Sequence, residues 1–139
     1  MHPRSDEFII VTQGTIFTQF IAETGAVLVT NNLTTLGSTL FPKGSIHVEY
    51  NPTCEKAQFI GALNSNDPGV SFVAANFLDL NDQLVIANLG GEAIVSGQDL
   101  ESVRAGLPAG VATGVQSCLT ACGLNQYAKR SLNEVFARK

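Results

Sequence analysis

The sequence predicts a mainly β chain: short antiparallel strands closing as a barrel or sandwich, followed by helices. Three observations carry this. The first half holds six short runs rich in apolar, β-branched and aromatic residues, with Gly, Pro or Asn between them. Past Asp67-Pro68-Gly69 the pattern changes to apolar residues at helical spacing. Apolar residues make up 45% of the 139 and charged residues 14%, which suits one domain with a real core and excludes disorder. No apolar run is long enough to cross a membrane as a helix.

The elements follow in order. Glu7 to Gln13 is an apolar run ending at Gly14, and Thr15 to Ala22 follows at once, so Gln13-Gly14 reads as a hairpin turn. Glu23-Thr24-Gly25 is a second turn before a strand over Ala26 to Thr30, and Asn31-Asn32 is a third. Ser38 to Phe41 runs into Pro42-Lys43-Gly44. Ile46 to Tyr50 and Ala57 to Asn64 complete the six strands. The strand signal fades after Val73. Asp79 to Asn88 carries Leu80, Leu84, Val85 and Ala87 behind an acidic start, as a helix N-terminus prefers, and Gly90-Gly91 ends it. Further helices are expected over Val95 to Ala105, Val111 to Cys122 and Gln126 to Arg138. A boundary near residue 78 divides the strands (1–78) from a helical extension of the same domain (79–139).

The net charge of −4 gives no basic field for nucleic acid. The chemistry rests on few residues. There are two histidines, His2 and His47, and Glu7 stands five positions after the first. Imidazole nitrogen and carboxylate oxygen form a metal site where a fold brings them together. Without such a fold they are a terminal residue, a core histidine and a surface charge. Strand alternation places Ser45, His47, Glu49 and Asn51 on one face and Ile46, Val48 and Tyr50 on the other. It likewise aligns Glu7 with Ile9 and Val11. Glu49 therefore shares the face of His47, where a carboxylate could carry protons or serve as a ligand, unless strand twist turns it to solvent. Three cysteines, Cys54, Cys118 and Cys122, allow three pairings and leave one thiol over.

Two stretches resemble known motifs. His2-Pro3-Arg4-Ser5-Asp6-Glu7, then six residues and Gly14, resembles the second half of the first cupin motif, G-x5-H-x-H-x(3,4)-E-x6-G. Pro42-Lys43-Gly44-Ser45-Ile46-His47-Val48-Glu49-Tyr50-Asn51 resembles the second, G-x5-P-x-G-x2-H-x3-N. Its opening glycine is displaced by one: Leu36 holds that place and Gly37 follows. The motifs lie 21 residues apart, and Asn64 to Gly69 is similar to the segment after the second motif in germins and spherulin-like cupins. The resemblance is firm over residues 2–78, looser over 79–123, and absent beyond.

The resemblance implies a cupin jelly-roll barrel, incomplete at its N-terminus, with an exposed sheet edge. It also implies manganese as cofactor, held by His2, Glu7 and His47, with a fourth ligand, a histidine, expected just before Met1. A germin-like protein of this kind would dismute superoxide or oxidise oxalate, with superoxide or a small dicarboxylate as partner, and would form a homo-oligomer. The alternatives are a non-enzymatic storage, wall or encystment protein of spherulin type, or an inert truncated fragment. The parent protein is expected to be extracellular, although Met1 leads into His2-Pro3-Arg4 with no signal peptide. Asn32-Leu33-Thr34 is a glycosylation acceptor sequence in an expected turn, which agrees. Secretion in turn implies a disulfide, expected from Cys54 to Cys118 or to Cys122.

Overall fold

The computed structural model describes residues 1–108 and 114–124. These form two compact units, residues 1–71 with 114–124, and residues 72–108.

The first unit is built from two three-stranded antiparallel sheets. Strand β1 (Glu7–Gln13) is central in one, between β4 (Ser38–Phe41) and β6 (Gln58–Leu63). Strand β2 (Thr15–Ile21) is central in the other, between β3 (Val29–Thr34) and β5 (Ile46–Tyr50). Alternation decides what is inside. Ile9 and Val11 of β1, Ile16 and Thr18 of β2, and Phe41 and Ser45 are buried, while Ile46 and Val48 face out. The sheets meet through rings: Phe20 of β2 packs edge-on against Phe41 of β4, with centroids 5.8 Å apart. Helix α4 (Gln116–Ala121) buries Leu119, and a disulfide from Cys54 to Cys122 fastens the end of the helix to the loop after β5. The bridge is one of the two pairings expected, and Cys118 is the thiol left over.

Gln13-Gly14 is not a hairpin turn. Strand β1 pairs with β4 and β6 and not with β2, so the chain changes sheet at Gly14. Gly14 has φ +72°, and a Cβ there would stand 2.6 Å from the Lys56 carbonyl oxygen. Glycine thus permits a corner as well as a tight turn, and the residue type alone does not separate the two. The strand expected at Ala26 to Thr30 also lies further on. Pairing of β2 with β3 stops at Phe20–Val29, so Val27 and Leu28 find no partner strand and stay exposed. Asn31 and Asn32 lie inside β3, opposite Thr18 and Phe17, so the acceptor triplet Asn32-Leu33-Thr34 sits in an edge strand rather than a turn. The turn falls at Leu36, which has φ +70°, with Gly37 N–H donating to the Thr34 carbonyl at 2.7 Å.

The second unit packs three helices, α1 (Val73–Leu78), α2 (Asp82–Asn88) and α3 (Gly97–Gly106), around Leu78, Val85, Ile86 and Leu100. Helix α1 lies where no helix was expected. Arg104 explains its stability: the guanidinium donates to the Leu78 carbonyl at 2.6 Å and the Leu80 carbonyl at 3.2 Å, satisfying groups at the end of α1. A capping box between Ser96 and Asp99 starts α3. Helix α4 begins at Gln116, later than the expected Val111, of which residues 111–113 lie outside the described ones. The helix expected over Gln126 to Arg138 lies outside them too.

Leu36 occupies a left-handed backbone position that costs an L-residue roughly 1–2 kcal/mol, and its side chain is 76% exposed, so little packing holds it there. Leu36→Gly should therefore raise stability by up to about 1 kcal/mol after glycine's added chain entropy, read as a higher denaturant midpoint. A lower midpoint would mean that the leucine side chain contributes more than the strain costs.

Candidate metal centre

Three side chains from three places converge at one end of the first unit. Glu7 opens β1 on the same face as Ile9 and Val11. His47 is the second residue of β5, opposite Phe20 of β2. His2 lies before β1, where its carbonyl accepts from Gly44 N–H at 2.9 Å and so holds it beside the β4–β5 turn. His2 Nε2 stands 3.0 Å from Glu7 Oε2, and His47 Nε2 stands 3.5 Å from the same oxygen. The three side chains are largely buried, 16%, 13% and 7% exposed for His2, Glu7 and His47. One donor atom from each lies within 4.8 Å of the others.

The imidazoles are aimed by the backbone. His2 Nδ1 lies 2.7 Å from the Gly69 carbonyl, and His47 Nδ1 lies 3.1 Å from the Ser45 carbonyl. A carbonyl only accepts, so each bond requires the proton on Nδ1, and each ring then turns Nε2 toward Glu7. Phe41 stacks on His47 with ring centroids 4.6 Å apart and fixes the plane of that ring. Burial, first of all, pulls the His47 pKa down to about 4, so at neutral pH this imidazole is uncharged. Glu49 of β5 has its carboxyl raised from the usual range by burial and by the charge of Glu7. Gly61 of β6 leaves room for the acid: a Cβ there would stand 3.0 Å from Glu7 Oε1.

Asp6 holds this end of the unit together. Its carboxylate accepts from Lys43 N–H at 2.8 Å and from Asn64 Nδ2 at 2.7 Å. Asn64 Oδ1 in return accepts from Asp6 N–H at 3.0 Å and from Ser5 Oγ at 2.8 Å. The start of β1, the turn before β5 and the end of β6 are thus joined. Beside them the Ser45 hydroxyl is fully buried with no hydrogen-bond partner among the described residues.

Sequence reasoning singled out His2, Glu7, His47 and Glu49, and the structure brings the first three together with Glu49 in electrostatic reach of Glu7. It missed Phe41, Gly61, Asp6 and the carbonyls of Ser45 and Gly69. The likeness of Asn64 to Gly69 to other cupins was the one available signal for two of these contacts, the Asn64 side chain and the Gly69 carbonyl.

Residues 1–90 match the Cupin family. The chain is 35% identical over 124 residues to spherulin-1A of Physarum polycephalum, covering 89% of this chain and 49% of the relative. It is 29% identical over 108 residues to germin-like protein subfamily 1 member 1 of Arabidopsis thaliana, covering 77% of this chain and 49% of the relative. The chain therefore spans about half the length of these curated relatives. Among solved structures it is similar to a recombinant oxalate oxidase in complex with glycolate, with TM-score 0.66 and 24% identity, over 76% of this chain and 55% of that one. That likeness establishes the cupin fold.

The Lys43 backbone N–H, first, and the Asn64 amide hold the Asp6 carboxyl below the usual carboxylate range. A depressed carboxyl stabilises the fold above its unfolded pKa and loses that contribution as pH falls through its folded pKa. Asp6→Asn should therefore lower the unfolding midpoint at neutral pH, with the gap from the parent chain closing in acid below the ordinary carboxylate range. A gap independent of pH would remove the role of ionised Asp6.

Proposed function

Because the chain belongs to the cupin family, we propose that it holds a manganese ion on His2, Glu7 and His47. One observation carries the reading: two imidazoles, each tied through Nδ1 to a backbone carbonyl, turn Nε2 toward a single carboxylate oxygen. Orientation of a ligating histidine through its other nitrogen is the recurring support of metal ligands. The donors fit the ion, since imidazole and carboxylate without thiolate suit a borderline or hard divalent metal. When bound, manganese would supply a centre able to change oxidation state and to polarise an oxygen ligand.

The protein's own residues provide the rest. Phe41 keeps water from one face of His47 and holds its ring in place. Glu49, its carboxyl raised by burial and by the charge of Glu7, would take up or release a proton beside the ion. Superoxide dismutation and oxalate oxidation are the reactions proposed for the germin-like reading. A structural, non-enzymatic metal protein is the second reading, favoured by the 35% identity to spherulin-1A over 89% of this chain. An extracellular setting is part of either proposal and is supported by the Cys54–Cys122 bridge. Metal-loaded protein assayed with superoxide and with oxalate separates them: turnover favours the first, and loading without turnover favours the second.

Glu7→Gln should weaken manganese binding by more than the roughly 10–100-fold that loss of an outer-shell partner costs, measured by calorimetric titration of the full chain. Unchanged affinity would exclude Glu7 as a ligand. Gly61→Ala gives a subtler test, because its Cβ would crowd Glu7 Oε1, the far end of a flexible side chain. Its unfolding midpoint should stay near that of the parent while manganese affinity falls about tenfold or more, on the scale of a disturbed ligand support. Equal affinity would show that Glu7 does not need the space left by Gly61.

A further inference from the structure

We propose that Asn32 carries an N-linked glycan whose first sugar lies on the aromatic pair of Phe17 and Tyr50. The proposal rests on the extracellular setting given above. Asn32-Leu33-Thr34 is the one Asn-x-Ser/Thr triplet of the sequence without proline in its middle, since Pro52 blocks Asn51-Pro52-Thr53. The strand decides how the triplet is presented. Asn31 turns inward, where its Nδ2 donates to Thr18 Oγ1 at 3.4 Å, and Thr18 is fully buried. Alternation then turns Asn32 and Thr34 outward, and both are exposed. Strand β3 is the edge of its sheet, so no neighbouring strand closes over that side.

A second observation points to a sugar at this place. Directly opposite Asn32 on β2 stands Phe17, and Phe17 in turn faces Tyr50 of β5. The two rings meet with centroids 5.0 Å apart, and both are partly exposed. Phe17 lies between the buried Ile16 and Thr18, so it shares the outward face with Asn32. Opposite residues of an antiparallel pair have Cβ atoms about 4.5–5.5 Å apart, so a sugar on Asn32 Nδ2 starts within reach of the Phe17 ring. The face of an aromatic ring is negative and attracts the C–H groups on the flat side of a sugar. In the joining step, Asn32 Nδ2 attacks C1 of an oligosaccharide carried on a polyprenyl diphosphate. The Nδ2–C1 bond forms as the C1–O bond breaks, the diphosphate leaves with the electron pair, and the amide gives up a proton. The transfer needs no oxidant or reductant.

The full chain, sent through the secretory pathway of a eukaryotic host behind a cleavable leader, tests this by mass spectrometry. Its mass should exceed that of the sequence by one core oligosaccharide, and peptide N-glycosidase should remove the excess and convert Asn32 to aspartate. Thr34→Ala should be secreted without the excess, and Thr34→Ser should keep it. A secreted chain with the Cys54–Cys122 bridge formed and Asn32 bare would overturn the proposal while leaving the extracellular setting intact. Sugar on Asn32 with that bridge absent would support the proposal and weigh against the setting. The ring contact has its own readout. Enzymatic removal of the glycan should lower the unfolding temperature by about 2–4 °C, the scale of one ring contact in a chain of this length. In Phe17→Leu the same removal should change nothing. An equal loss in both chains, or none in either, would overturn the contact with Phe17.

Discussion

Three strand ends meet on the carboxylate of Asp6. Through Lys43 N–H it holds the turn that launches β5, and through Asn64 it holds the end of β6. Because Asp6 immediately precedes Glu7, the same contacts set where β1 begins and where its first inward side chain stands. His47 comes from a strand in the other sheet, so no ladder hydrogen bond relates it to Glu7. The two are brought to 3.5 Å by the packing of the sheets and by this clamp at their ends. An ionised acid suits the task, since hydrogen bonds to a charged acceptor are stronger than neutral ones.

The site itself is built on a second economy. Neither histidine relies on a carboxylate to orient it. Each uses a peptide carbonyl, from Gly69 or from Ser45, which brings no charge into the centre. The carboxylate of Glu7 is then the sole acid opposite the two Nε2 atoms in the triad. Burial keeps His47 uncharged at neutral pH, so Glu7 does not settle into an ion pair with it. Phe41 does double duty, meeting Phe20 across the sheets and stacking on His47, so core packing and ring orientation are one contact.

What could be read from the residues divides along the same physical lines. Strand alternation correctly sorts Ile9 and Val11 inward and Ile46 and Val48 outward, because burial follows a period of two that the sequence displays. The convergence of His2, Glu7 and His47 was legible only through motif resemblance, since the spacing of residues within strands says nothing of which sheets they join. Gly14 shows the limit: glycine marks a change of direction, but the Lys56 carbonyl that forces it comes from a distant segment. Asn31 and Asn32 misled because asparagine favours turns in isolation, whereas pairing with Thr18 and Phe17 keeps them extended here. Leu36 hid the true turn, being a residue that rarely adopts positive φ. Helix α1 escaped notice because its closing partner, Arg104, lies 26 residues further along the chain.

The bridge between Cys54 and Cys122 spans 68 positions of sequence, and that span has a mechanical meaning. Strand β6 and the whole three-helix unit lie inside the closed loop, whereas β1 to β5 lie before it. Tension applied between the two ends of the chain would pass through the sulfur–sulfur bond and leave the enclosed residues unloaded. Stretching would strip β1 to β5 and then stop, with the helical unit carrying no force as hidden length. Only a reductant would release that slack, so the extensibility of this protein under load would report the chemical state of its sulfurs.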